Sequence, residues 1–598
     1  MSSAVEGSVP VSRRSTDARR TYRIRKWLAV PKNLLHIGVL TAYIAVVITV
    51  MCFHEPWFDE AQSWLMARDC SWHDLLLVRP HYEGHPPFWW LLLAIPARLG
   101  VPYEWGLKGV QLITAIFLVW LLVFRSGLPE VLRIILPFTY FVCYQYGVTS
   151  RPYALMMAAM VLTGISWRNR DDHPWRLIGS LILLCLCSAY GVVLAGGITM
   201  VWVWRVWRQR GMRGVLMGSK PRLAGWLVLL AVAIGIITLI LPKPNTYDSG
   251  LKLLTDSPLP STWEMVLRFW FCLPSEMMFT SVFTDTMLSS VTALTWEWVM
   301  MAVISGLVWA VFIRFAYRRG ELGFLLVPYA MMCVLGARYF AIHHVGIILG
   351  YFIMVLCVLC RDSPLNMDDV PAWMKTVGGR IFARISQRDR SLVVGMGKCL
   401  GVLLLSISVY WNVFACVTDV LYPYSQARAV ASLIKRGNLQ GERMMSGWTR
   451  TPATKAEQQE WDGEFCGGGN NCIDFTTWIA PELIVANPYF SKNLASNSFN
   501  DLSYLPWYQP AGQAQKDLES WKGEEEPALY FTRFQPFYFT EFGYDRDDYI
   551  KVNYVRIVRP WKDQRAVSTC SVYMRRDVYR KVFHKEAPNT LTVDVDIS

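Results

Sequence analysis

The chain has 598 residues, 53% of them hydrophobic and only 18% charged, with a mean hydropathy of +0.26. A water-soluble protein of this length seldom carries so much apolar surface, which places the chain in the polytopic membrane class. The net charge of +13 does not signal nucleic acid. The basic residues fall in short clusters between apolar segments, where they set membrane orientation, and no basic groove with interleaved aromatics stands apart.

Residues 1–33 are polar and basic (Arg13, Arg14, Arg19, Arg20, Arg23, Arg25, Lys26, Lys32) and precede an apolar segment with no small-residue cleavage site. That pattern predicts a retained anchor with a cytoplasmic N-terminus, its first residues disordered. Because a membrane helix needs about 20 apolar residues, crossings are expected at 34–53, 105–124, 131–149, 152–168, 223–241, 293–313, 341–360 and 393–417. A shorter one is expected at 323–337. The run 177–206 is too long for one helix and is interrupted at Ser188-Ala-Tyr-Gly191, so it is read as two short helices. Segment 86–99, short and rich in proline and aromatics, suits an interfacial or re-entrant helix.

If 34–53 crosses outward and 86–99 returns to the same side, Arg125, Arg133, Arg168, Arg176, Arg205–Arg222, Arg314–Arg319 and Arg361–Arg390 all face the cytoplasm. The result is a helical membrane domain over 34–417 with eleven crossings and an extracytoplasmic C-terminal part in the plasma membrane. From about 418 to 598 the composition becomes that of a soluble domain. Gln426–Arg436 reads as an amphipathic helix ending at Gly437, with strands at Tyr549–Arg559 and Ser571–Tyr579, so a small α/β domain is expected. Cys466 and Cys472 flank a Gly-Gly-Gly-Asn-Asn loop and could form a disulfide outside the cell, leaving Cys570 over. Most other cysteines lie in apolar segments as small buried hydrophobes.

The stretch His54–Trp90 sets Asp59, Glu60, His81, Glu83 and His85 among aromatics directly after the first apolar segment. Acids and histidines at a membrane boundary mark a functional site by default. Asp59 and Glu60 could cap the helix start that follows, or accept a proton from an attacking hydroxyl as semi-buried carboxylates. Glu83 and His85, with Asp59, could hold a divalent metal through oxygen and nitrogen, or shape the loop before Pro86-Pro87. Arg151 and Arg338 fall at outer helix ends, against the usual charge rule, where guanidinium suits phosphate and snorkelling to headgroups is the plainer role. Tyr153 adjoins Arg151, and His343 and His344 fall about one turn into a membrane helix, facing a polar cavity or packing. No P-loop, GxSxG, CxxC pair or dinucleotide fingerprint is present, which argues against ATP-driven transport, serine hydrolysis and redox chemistry.

The acidic pair Asp59-Glu60, the run Glu83-Gly-His85-Pro86-Pro87 and the run Ser150-Arg151-Pro-Tyr153-Ala-Leu155 together resemble the GT-C superfamily of polyprenyl-phosphate-dependent glycosyltransferases. The similar branch holds protein O-mannosyltransferases and lipid A aminoarabinose transferases. The chain is also similar to a bacterial group of membrane proteins with HEPW-DEAQ-W and YEGHP motifs. The resemblance implies inverting transfer of one sugar from a polyprenyl-phosphate donor to a hydroxyl of an envelope acceptor outside the cytoplasm. Asp59 would be the base, with Glu60 second, and Arg151 or Arg338 would stabilise the leaving phosphate. The aminoarabinose branch places a second aspartate shortly after the arginine; here Pro152–Met157 contains no acid. That departure supports the rival expectation, a GT-C-like protein without turnover that acts in glycolipid binding, export or envelope assembly.

Overall fold

A computed structural model describes residues 31–243, 262–279, 296–337, 340, 342–360, 376, 406–446, 481–495, 502–507, 525–531, 543–558, 567–590 and 592–595. The Cys466–Cys472 pair and Arg338 lie outside the described residues.

The chain begins with α1 (Pro31–Phe53), then α2 (Phe58–Asp69), α3 (Arg79–Glu83) and α4 (Phe88–Arg98). The membrane domain continues with α5 (Tyr103–Trp120), α6 (Glu130–Ile135), α7 (Tyr153–Trp167), α8 (Pro174–Cys187), α9 (Ala189–Met217) and α10 (Lys220–Ile240). Next come α11 (Thr262–Phe271), α12 (Leu273–Phe279), α13 (Trp296–Arg318), α14 (Leu322–Gly336), α15 (Val345–Leu359) and α16 (Ser406–Leu421). Among the described residues, five helices are long and apolar enough to cross a bilayer: α1, α5 with its extension to Arg125, α9, α10 and most of α13. Glu130–Phe138 and Phe141–Val148 join a sixth, bent by 43°.

Six more apolar helices are shorter: α4, α7, α8, α14, α15 and α16. A helix of 15 residues such as α7 rises only about 22 Å, against a hydrocarbon core of about 30 Å. The expected break inside 177–206 is found at Ser188, whose extended backbone (φ −167°, ψ 158°) separates α8 from α9. His343 and His344 are not inside a helix as expected; they form a tight 3-10 turn before α15 begins at Val345.

In hydrocarbon there is no hydrophobic drive between helices, so close packing depends on small residues. Gly164 of α7 shows this against α15. A Cβ there would sit 2.6 Å from the Met354 carbonyl oxygen and 2.8 Å from Cys357 Cβ. Only a bare backbone allows that approach. The membrane-domain core runs from Val39 to Cys416 and includes the inner faces of α1, α5, α7, α8, α9, α14 and α15.

A second core joins the segment after α1 to the C-terminal region. Ala61, Trp64 and Leu65 of α2 and Trp89 and Leu93 of α4 are buried in one cluster with Val430 and Ile434 of α17 (Ala427–Arg436). Leu483 and Ile484 of α18 (Pro481–Ala486) and Leu529, Ile550 and Val572 from the sheet complete it. The segment after α1 is thus part of the hydrophobic core of the sheet-bearing domain. Its five strands are β1 (Met444–Ser446), β2 (Leu529–Phe531), β3 (Tyr549–Val558), β4 (Val567–Arg575) and β5 (Thr592–Asp594), in the order β1-β2-β4-β3-β5. The β1/β2 and β3/β5 pairs are parallel and the others antiparallel. The strand expected at Ser571–Tyr579 ends earlier, at Arg575, and α19 (Arg576–Phe583) follows. The reason is periodicity: Val578, Tyr579 and Val582 form the buried face, a helical spacing.

Gly164→Ile is expected to force α7 from α15 and cost roughly 1–3 kcal/mol by overpacking. It should reduce the monodisperse fraction in detergent and lower the unfolding temperature. Gly38→Ile, at a position with open space around the added Cβ, should leave both unchanged; equal behaviour of the two variants would refute the close-packing argument.

Candidate active site

The acidic pair opens α2, and its two members diverge. Glu60 is completely buried. Its Oε2 accepts the Trp57 backbone N–H at 3.0 Å, closing the first helical turn, and its Oε1 accepts the Ser150 N–H at 2.5 Å. One carboxylate therefore clamps the start of α2 to the turn before α7. Burial would raise its pKa, yet His54 and the two backbone donors hold it below the ordinary carboxylate value. A carboxylate so satisfied is a strut and a poor proton acceptor.

Asp59, one residue earlier, keeps 32% of its side chain exposed and pairs with the Arg151 guanidinium. Arg151 is buried, and its guanidinium lies 5.7 Å from the Trp57 ring and 5.5 Å from the Tyr153 ring. Burial disfavours its charge, but Asp59 and Tyr153 together more than offset that and raise its pKa. The Tyr153 hydroxyl lies 2.9 Å from His344 Nε2, and the Tyr146 hydroxyl donates to the His343 carbonyl at 2.8 Å. The expected residues Asp59, Arg151, Tyr153, His343 and His344 therefore meet in one place.

Beneath this surface lies a network that sequence reasoning missed. His54 is fully buried between two carboxylates, with Nε2 3.3 Å from Glu60 Oε2 and Nδ1 2.7 Å from Asp419 Oδ2. Burial opposes a charge on the ring, but Asp419 and Glu60 outweigh it and raise the pKa to about 10. An imidazolium with both N–H groups engaged satisfies the geometry. The available signal was Asp419 itself, an acid near the end of an apolar helix, where such residues usually have a reason.

Glu83 and His85 sit on the other wall. Glu83 Oε1 accepts from Gln62 Nε2 and Trp507 Nε1, each at 2.9 Å. Gln62 also exchanges hydrogen bonds with the Leu505 backbone at 2.7 and 2.9 Å, and Arg79 donates to the Pro506 carbonyl at 3.0 Å. The C-terminal segment 502–507 is thus strapped beside Glu83. Trp507 holds φ +58°, a conformation costly for a bulky side chain and kept where the surroundings impose it. Burial lowers the His85 pKa to about 4, with Arg151 adding to the effect.

Among the described residues, three buried polar atoms around Arg151 find no hydrogen-bond partner: Trp57 Nε1, His85 Nδ1 and Ser150 Oγ. Such atoms are uncommon, and beside a half-exposed ion pair they are the groups a polar ligand would satisfy. His81 is turned elsewhere, its Nδ1 2.7 Å from the Leu241 carbonyl oxygen. Among the described residues, no group of three or more His, Cys, Asp or Glu side chains is placed to hold one metal ion. Asp59, Glu83 and His85 are therefore not assembled as a ligand set. Asp59 pairs with Arg151 and Glu83 with Gln62 and Trp507, and those bonds hold the two carboxylates to different partners.

Burial pushes the Glu83 carboxyl up to about 7, against the bonds from Gln62 and Trp507 and the charge of Arg79. A raised carboxyl pKa stabilises the fold fully below the unfolded value of 4.5, and this contribution is lost as pH rises through about 7. Glu83→Gln keeps an acceptor oxygen and removes the titration. Thermal unfolding in detergent should show a fall in stability between those pH values that is smaller in E83Q than in wild type. Parallel pH profiles would refute the assignment, since Glu55, also raised to about 7, is common to both proteins.

In comparison with known proteins, the chain matches no protein-family model and no curated sequence.

Proposed function

We propose that the protein is a membrane glycosyltransferase that moves a sugar from a polyprenyl-phosphate donor to an acceptor hydroxyl of the cell envelope, with inversion. The observation that carries this reading is the Asp59–Arg151 pair, with the Asp59 carboxylate partly open to solvent and, among the described residues, three neighbouring polar atoms without partners. Asp59 takes the proton from the acceptor hydroxyl as its oxygen attacks the anomeric carbon. The bond from that carbon to the phosphate oxygen breaks, and the sugar inverts. Arg151, fixed by the Trp57 and Tyr153 rings, offers guanidinium donors to the negative charge developing on the phosphate. Because the leaving group is already an anion, charge stabilisation serves better than a general acid. Glu60 holds the two halves of the site in register. Glu83 and His85 face the acceptor.

The topology proposed with this reaction has the five long helices, the bent pair and five of the six shorter ones crossing the bilayer, while α4 stays at the outer surface. It puts Arg205, Arg208, Arg210 and Arg213 on the cytoplasmic side and Asp59, Arg151 and the sheet-bearing domain on the outer side.

Removing a general base costs about 10²–10⁴-fold in rate. Asp59→Asn should lower sugar incorporation into envelope glycans to background while the purified protein stays monodisperse. Undiminished incorporation would refute the assignment of the base. Separately, a cysteine tag added after Ser598 should react with a membrane-impermeant thiol reagent in intact cells, and protection until the cells are lysed would invert the orientation.

A further inference from the structure

The long helix α9 does not end smoothly. Gly211 adopts φ +62°, ψ −173° within it, a conformation that favours glycine, and the chain bends there before continuing to Met217. Beyond the bend, Met212 and Val215 line a groove together with residues of α10. The angle between α9 and α10 encloses an apolar groove of about 570 Å³, lined among others by Gly196, Met200, Trp204, Trp207, Trp226 and Leu230. Trp204 and Trp207 are 55% and 43% exposed, with ring centroids 4.9 Å apart at its edge. Amphipathic indoles of this kind concentrate at the level of lipid headgroups.

The charge around the bend is one-sided. No aspartate or glutamate occurs between Asp172 and Asp248, whereas that interval contains Arg176, Arg205, Arg208, Arg210, Arg213, Lys220, Arg222 and Lys243. Packed neighbours neutralise two of these. Arg205 donates to Glu321 at 2.6 and 2.9 Å, and Arg222 is buried against Asp171 and the Gly214 carbonyl. Arg208, Arg210 and Arg213 are exposed. Among the described residues, none of the three has a carboxylate partner. Helical spacing sets Arg208 one turn beyond Trp204 and Arg210 nearly one turn beyond Trp207. Arg208 and Arg210 therefore continue the stripe of residues that lines the groove, and Arg213 follows just past the bend, next to the lining residue Met212.

We propose that this groove is a binding site for an anionic diacyl phospholipid, with one acyl chain lying along Met200, Trp204 and Leu230 and the phosphate held by Arg208, Arg210 and Arg213. A zwitterionic lipid fills the apolar part equally well but places its own cation among the arginines. Selectivity therefore resides in the headgroup. The site requires α9 and α10 to lie in a bilayer and is independent of glycosyl transfer.

The test uses the full chain reconstituted in nanodiscs containing phosphatidylglycerol or phosphatidylcholine with brominated acyl chains, which quench tryptophan on contact. Wild-type protein should be quenched at a roughly tenfold lower mole fraction of the brominated phosphatidylglycerol, given the attraction of several arginines for an anionic headgroup. In the triple variant R208Q/R210Q/R213Q the two quenching curves should converge. The variant W204F/W207F should retain its fold and lose the component that appears at low mole fraction. Coincident curves for the two lipids in wild type would overturn the site, as would a phosphatidylglycerol preference that survives in the triple variant. Low-fraction quenching that persists in W204F/W207F would overturn the placement of the chain in this groove.

Discussion

His54 lies between Glu60 and Asp419, without solvent contact, and most of what positions the candidate site passes through it. Two buried carboxylates with no cation between them would repel and each carry a heavy desolvation cost. A protonated imidazole with both N–H groups engaged offsets this, and removing one member of such a buried set costs about 3–5 kcal/mol. Because the three residues belong to the end of α1, the start of α2 and the end of α16, the charge network holds the first and last described helices of the membrane domain together. Glu60 passes the constraint on to the Ser150 N–H and so to the neighbouring Arg151. The guanidinium meets Asp59 because this strut lies below both.

The same logic accounts for the unequal roles of two adjacent acids. Helix geometry turns Glu60 inward, where three donors surround it, and leaves Asp59 at the rim with one partner. A carboxylate with both oxygens engaged by backbone and imidazolium donors has a depressed pKa, so it serves to fix geometry. A carboxylate that shares a single arginine and touches solvent can exchange that partner for a donor from a bound ligand. The division of labour follows from burial, not from residue type.

The sheet-bearing domain is bound to this arrangement by more than proximity. α2 and α4 contribute Trp64, Leu65, Trp89 and Leu93 to a core shared with α17, α18 and the sheet. Polar contacts reinforce it. Arg428 donates to Glu104 at 2.9 Å, Tyr489 donates to the same carboxylate at 2.5 Å, and Ser425 donates to the Pro56 carbonyl at 3.0 Å. Motion of that domain relative to Asp59 would require breaking a hydrophobic core. The strap carrying Trp507 is therefore a fixed wall of the site, and its strained backbone is maintained by the Glu83 and Gln62 contacts on either side.

Several features were legible in the chain before it folded. Composition pointed to helices of membrane-spanning length, hydropathy located the apolar helices, Ser188 marked the break between α8 and α9, and Gly437 ended an amphipathic helix at its cap. Asp59, Arg151 and Tyr153 stood out because polar groups at the edge of apolar segments are costly. Local rules could reach no further, since they register a residue's own tendency and not its partners. The role of Glu60 depends on Ser150, 90 positions away, and the state of His54 on Asp419, 365 positions away. Likewise, residues 54–104 read as an outer loop because their apolar side chains gave no sign of the core they would enter. By itself the sequence determined where the chain is apolar and which polar groups are out of place. Only the tertiary structure decided which carboxylate is buried and neutralised and which stays exposed, because burial and pairing are properties of segments brought together.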